Sequence, residues 1–278
     1  MALLQVNFLS SSLGRTVPMN VILPVDKMTF PGMPIREDKP YKTLYLLHGV
    51  LGNYTDWVTG TNIVRYAMEN DLVVVMPSGD NMFYVDNPWT VNNRYGEFIG
   101  KELIEITRKM FPLSHKREDT YIAGLSMGGF GAIRNGLKYH DTFGYIAGLS
   151  SALVIDGAEK MSNDSPLFFT NRNFFEGCFG DASKVAESDM NPKWLSKKLV
   201  EEKVNIPKIY MACGKGDSLL EANRSFKSHL ENSGIDVAYE EGPGGHDWDF
   251  WGEYIKKVLD WLPLENKTAG INSGNVGV

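Results

Sequence analysis

Cysteine is nearly absent: Cys178 and Cys213 are the only two in 278 residues. Two thiols cannot staple a disulfide scaffold or complete a structural zinc site, so both are expected to be reduced. No apolar run approaches the ~18 residues that would span a bilayer. Positive charge is also in deficit, with 28 Lys and Arg against 34 Asp and Glu and a net charge of −6. Nucleic acid and anionic membranes both select a basic footprint, so neither is expected as a partner. Internal repeats are missing. The first residues, Met1 to Asn7, carry no positive region and only a short apolar run, so no secretory leader is read there and a cytoplasmic location is expected.

What is present is enough for a sizeable core, since 43% of residues are hydrophobic. The 28 Gly exceed the ~7% usual in proteins, which points to tight turns and close backbone approaches. The first residues alternate weakly and predict an antiparallel pair, Leu4 to Leu9 and Val17 to Pro24, turning near Ser12-Leu13-Gly14. Short apolar runs follow at Thr43 to Leu47, Leu72 to Met76, Thr120 to Ala123, Tyr145 to Leu149, Lys208 to Ala212 and Val237 to Glu240. Runs of that kind suit parallel strands buried on both faces. Helix-length segments lie between them, one from Glu97 to Phe111 stopped by Pro112, and a last one carrying Trp251, Tyr254, Val258 and Trp261 and stopped by Pro263.

This alternation predicts an α/β chain with a mixed, mostly parallel sheet covered by helices on both faces. One domain is expected over 1–264, although its length alone would allow two. Within it, 151–205 shows plausible helices, dense aromatics and no clear strand, and reads as a cap-like insertion. The polar, Gly-rich stretch 265–278 is expected to be a disordered tail.

The strongest chemical signal is Gly124-Leu125-Ser126-Met127-Gly128-Gly129, after an apolar strand and before a helical segment. Glycines two residues either side of a serine allow a sharp strand-to-helix turn that exposes a strained nucleophile. A serine hydroxyl needs a base. Of five histidines, His246 lies in a Gly-rich turn after the last strand, on the serine's side of the sheet. His115, His140 and His229 read as solvated surface groups, and His48 as a scaffold residue within its loop. The orienting acid should end the preceding strand. Asp217 does so, 91 residues after the serine and 29 before the histidine. Asp181, Asp189, Glu221 and Asp247 are the rivals. Oxyanion donors are expected from the N–H of Met127 and from the loop His48-Gly49-Val50-Leu51-Gly52, with Val50 preferred over Leu51.

His48-Gly49-x-x-Gly52, Asn53 followed by Trp57, the Gly124 elbow, Cys213-Gly-x-x-Asp217 and Gly245-His246-x-Trp248 together resemble the esterase D-like α/β-hydrolases, and most closely the bacterial tributyrin and acetyl esterases. Relatives in that group include feruloyl and acetyl-xylan esterases, S-formylglutathione hydrolases and mycolyltransferases. The resemblance implies an α/β-hydrolase fold and the triad Ser126, Asp217, His246. Formylglutathione hydrolases typically carry a cysteine in the loop that here runs 48–52, and this chain has none there.

Dinucleotide and P-loop fingerprints are missing, and no second histidine stands near His246 at ligand spacing, so neither cofactor nor metal is expected. Trp57, Trp89 and Trp248 are candidates to wall a substrate pocket, or else to pack loops against the sheet. The expected activity is a serine carboxylesterase acting on short acyl or carbohydrate-linked esters. Feruloyl esterase, acyltransferase or thioester hydrolase, and an inactive ligand-binding module are the alternatives. Subunit number is left open, a homo-oligomer included.

Overall fold

Alternation in the first strand gives it one covered and one exposed face. Ala2, Leu4, Val6 and Phe8 turn toward the core while Leu3, Gln5, Asn7 and Leu9 face outward. In the computed structural model, which describes residues 2–32, 36–264 and 271, this strand β1 (Ala2–Ser10) pairs antiparallel with β2 (Arg15–Leu23). The turn is closed by Gly14 at φ +61° and by Glu102, which accepts from the Ser10 hydroxyl at 2.7 Å and the Ser11 N–H at 2.6 Å.

The apolar runs become β3 (Lys42–Leu47), β4 (Leu72–Pro77), β5 (Thr120–Leu125), β6 (Tyr145–Leu149), β7 (Lys208–Gly214) and β8 (Val237–Gly242). The eight strands form one sheet in the order β1-β2-β4-β3-β5-β6-β7-β8. β2 meets β4 antiparallel, and from β4 onward every neighbour is parallel. This is the mixed sheet that the sequence predicts. Its central strands β4 and β5 are buried at every residue, because helices cover both faces.

The helices are α1 (Asp56–Gly60), α2 (Ile63–Glu69), α3 (Tyr95–Glu97), α4 (Leu103–Met110), α5 (Met127–Lys138), α6 (Arg172–Phe179), α7 (Pro192–Glu201), α8 (Leu220–Asn232) and α9 (Trp248–Trp261). Apolar side chains of α2 and α9 join Leu44, Leu46, Val74 and Ala123 on one face. Those of α4, α5 and α8 join Tyr45, Leu47, Val75 and Ile122 on the other. The helix expected from Glu97 to Phe111 is broken in register, since a π turn at Phe98–Glu102 separates α3 from α4. Gly100 lies there against the Tyr139 ring, so close that a Cβ would meet it at 2.0 Å. The extra residue of a π turn keeps Phe98, Ile99, Leu103 and Ile104 all in the core.

Residues 151–205 run between β6 and β7 without forming a strand and contribute α6 and α7. Phe175, Phe179, Leu195 and Leu199 from this stretch belong to the same apolar cluster as α5. The stretch 265–278 lies outside the described residues except for Ile271, which exchanges backbone hydrogen bonds of 2.8 and 2.9 Å with Met28. Among the described residues, no helix is long and apolar enough to cross a membrane.

Parallel strands present all their carboxyl ends along one edge. β5 and β7 flank β6, and β8 follows β7. The loops leaving β5, β7 and β8 therefore emerge side by side, and they carry Ser126, Asp217 and His246.

Candidate active site

Ser126 stands between the last residue of β5 and the first of α5, at φ +53° and ψ −118°. A non-glycine residue there is strained by roughly 1–3 kcal/mol and persists only where its surroundings over-determine it. They do so here. The Ser126 N–H donates to the Leu149 carbonyl at 2.9 Å, and the Ser126 carbonyl accepts from Ala152 at 2.9 Å and Phe130 at 3.0 Å. The flanking glycines are required by close approach. A Cβ at Gly124 would lie 2.3 Å from the Gly128 carbonyl oxygen, and one at Gly128 would lie 2.4 Å from that of Leu47.

His246 Nε2 lies 2.9 Å from Ser126 Oγ, and its Nδ1 lies 2.9 Å from Asp217 Oδ2. A carboxylate can only accept, so the Nδ1–H donates to Asp217 and the bare Nε2 is left to accept from the serine hydroxyl. The Asp217 side chain is fully buried. Burial pushes its carboxyl upward, but donation from His246, from the Leu219 N–H at 2.8 Å and from the Ser150 hydroxyl outweighs this and holds it below its ordinary 3.8. Asp217 is therefore a carboxylate at neutral pH, fixed on the far nitrogen of the imidazole.

The rival acids are engaged elsewhere. Asp181 accepts from Ser183, Asp189 pairs with Lys138 at 2.7 Å, and Glu221 pairs with Arg224 at 2.7 Å. Asp247 caps α9 by accepting from Phe250 at 2.9 Å and also takes the Gly245 N–H at 3.0 Å. That double acceptance holds the turn in which His246 sits.

The loop after β3 packs directly on the elbow, with Gly49 so close that a Cβ would meet Leu125 at 2.7 Å. His48 is buried, its Nδ1–H donating to the Gly49 carbonyl at 2.8 Å and its Nε2 accepting from the Gly79 N–H at 2.9 Å. Burial pulls its pKa below 6.5, so it stays neutral as a brace for the loop. The Leu51 N–H is taken by Asn81 Oδ1 at 2.8 Å and the Gly52 N–H by the Gly49 carbonyl at 3.2 Å. Asn81 also receives the Cys178 thiol on its own carbonyl at 3.3 Å, which ties the 151–205 stretch to this loop. Sequence reasoning did not find Asn81, and nothing in its neighbourhood along the chain marks it.

A Ser–His–Asp chain on an α/β sheet is machinery for acyl transfer, and comparison with known proteins points the same way. The Esterase family model matches residues 10–262. The chain belongs to the Esterase family. An acetyl esterase of Caldicellulosiruptor saccharolyticus is 46% identical over 262 residues, covering 94% of this chain and 98% of the relative. Among solved structures, the fluorophosphonate-binding serine hydrolase FphF of Staphylococcus aureus aligns with a TM-score of 0.82 at 33% identity, covering 94% of this chain and 98% of its own. The S-formylglutathione hydrolase FrmB of the same organism aligns at 0.79 and 33%, with the same coverage. A ferulic acid esterase at 22% identity and TM-score 0.72 shares the fold. The protein is thus a carboxylic ester hydrolase of the serine type with an α/β-hydrolase fold.

Two expectations for the esterase need correction. Trp57 lies in α1 rather than a loop, is 1% exposed, and donates its indole N–H to the Leu47 carbonyl at 3.0 Å. It has almost no surface to offer a substrate and packs edge-on against Trp248 instead. Trp248 opens α9 and is half-buried, while Trp89 is 61% exposed. His229 is not a solvated group, because Ser196 Oγ lies 2.9 Å from its Nε2 and Phe226 stacks on its ring. Helical spacing alone could not reveal that neighbour, which comes from α7. The two cysteines are free and buried, and burial pushes each thiol up to about 12.

Proposed function

We propose that this esterase hydrolyses short-chain acyl esters, acetyl esters of small molecules or carbohydrates among them, through an acyl-enzyme on Ser126. His246 Nε2 accepts the Ser126 proton as Oγ attacks the ester carbonyl, and Asp217 stabilises the imidazolium so formed. The tetrahedral oxyanion is held by the N–H of Met127 and that of Val50. Met127 is the first residue of α5, so its N–H has no acceptor within the helix. Engagement of the Leu51 and Gly52 amides elsewhere supports Val50 as the second donor. The oxyanion collapses, the C–O bond to the alcohol breaks, and the imidazolium gives its proton to the departing oxygen. Water, deprotonated by the same nitrogen, then attacks the acyl-enzyme, releasing the carboxylic acid and restoring the Ser126 hydroxyl. No metal or cofactor enters any of these steps.

The observation that carries this reading is the unbroken chain Ser126–His246–Asp217, 2.9 Å at each link. The acyl preference rests on the 46% identical acetyl esterase. A second reading, hydrolysis of S-formylglutathione, is favoured by the likeness to FrmB. Against it stands the cysteine-free loop 48–52. Steady-state rates on p-nitrophenyl acetate, butyrate and octanoate, methyl ferulate, acetylated xylan and S-formylglutathione separate the two. Acetate or butyrate should give the highest kcat/KM among the nitrophenyl esters, with octanoate at least about tenfold lower. A thioester rate far above all oxygen esters would replace the first reading with the second.

A further inference from the structure

Immediately after β6 the chain does something unexpected. Ser150 adopts φ +46°, a conformation that costs an L-residue about 1 kcal/mol or more and costs glycine almost nothing. Glycine would serve the backbone better, yet a serine stands there, fully buried. What the serine adds is a hydroxyl, and that hydroxyl accepts from the indole N–H of Trp251 at 3.2 Å. Trp251 in turn sets its ring edge-on to the His246 imidazole, with centroids 4.9 Å apart and planes at 88°.

The backbone around Ser150 reaches the other parts of the site. Leu149 and Ala152 hold the main chain of Ser126, and the Ser150 N–H donates to Ala212 of β7 at 2.8 Å. Asn223 of α8 clamps the next residue, donating to the Ser151 carbonyl at 3.0 Å and accepting its N–H at 3.2 Å. One four-residue segment thus touches the elements that carry all three triad members.

We infer that Ser150 is a positioning residue of the triad, its hydroxyl joining Trp251, which backs the His246 ring, to the carboxylate side of the site. The inference rests on the proposed triad. The Ser150 hydroxyl accepts from Trp251 at 3.2 Å and lies within hydrogen-bonding reach of both Asp217 and Cys213. It is one of the donors that keep that carboxyl ionised. Removing the hydroxyl loosens both the wall behind the imidazole and the acid that orients it.

Two variants separate this from a structural role. Ser150→Gly removes the hydroxyl and relieves the backbone strain, whereas Ser150→Ala removes the hydroxyl and keeps the strain. The glycine variant should melt no lower than the alanine variant. Both should lose kcat on p-nitrophenyl acetate by about 10–100-fold, with KM within about twofold of wild type. Trp251→Phe leaves residue 150 untouched and should lose kcat by about 3–10-fold, non-additively with Ser150→Gly. Wild-type kcat in Ser150→Gly, a loss expressed in KM and not in kcat, or simple additivity with Trp251→Phe, would overturn the inference. Ser126→Ala in the same assay separates the two levels. If it is inactive while Ser150→Gly is fully active, only this inference falls; if it keeps its rate, the triad reading falls.

Discussion

The rim formed by β5, β7 and β8 and the stretch from 151 to 205 meet where the Ala152 N–H donates to the Ser126 carbonyl, yet they are built by different means. At the rim, geometry is made by the backbone. Glycines at 124 and 128 let chains approach where a Cβ would overlap carbonyl oxygens, and Ser126 is held at positive φ by its neighbours' hydrogen bonds. In the 151–205 stretch, geometry is made by aromatic packing. Phe179 meets Phe83, Phe130 and Phe175, and Phe168 and Phe174 continue the cluster outward until Phe168 is 43% exposed. Backbone constraints admit few residue types and leave a pattern in the sequence. Packed aromatics admit many arrangements and leave little more than a composition.

The difference predicts how each region fails. Asp217→Asn keeps the shape of the rim but reverses the hydrogen-bond demand on His246 Nδ1. Turnover should fall by about 10⁴-fold with the melting temperature little changed. A loss of less than tenfold would mean that another group orients the imidazole. Phe179→Ala should do the opposite. It empties a fully buried ring site and should cost about 3–5 kcal/mol of stability, read from denaturant unfolding. At temperatures where the variant stays folded, kcat should fall far less than in Asp217→Asn. If Phe179→Ala were as inactive as Asp217→Asn while still folded, the stretch would be part of the catalytic geometry itself and the contrast would break.

Legibility in the sequence follows the same division. All eight strands were readable: β3 to β8 are short apolar runs between turn residues, and the β1–β2 pair shows as a weak alternation because β1 has one covered and one exposed face. The elbow, Asp217 and His246 were readable because each follows such a run in a Gly-bearing loop. The π turn at Phe98 was not, since one extra residue hardly disturbs the apolar period on either side of it. Trp57 was misplaced because a tryptophan ten residues after a strand looks the same whether it lines a pocket or reaches back to the strand's last carbonyl. Ser150, Trp251 and Asn81 act through contacts across 30 to 101 residues of chain, and no local spacing encodes those. The His229–Ser196 contact, formed between two helices, was hidden for the same reason.

The central claim is that Ser126 is the acylated residue and that His246 activates it. Intact-mass and peptide analysis after reaction with a fluorophosphonate probe tests this most directly. One adduct per chain is expected, on the peptide that contains Ser126, with labelling abolished in Ser126→Ala and slowed by several orders of magnitude in His246→Ala. An adduct on any other residue, or undiminished labelling of Ser126→Ala, would contradict the account.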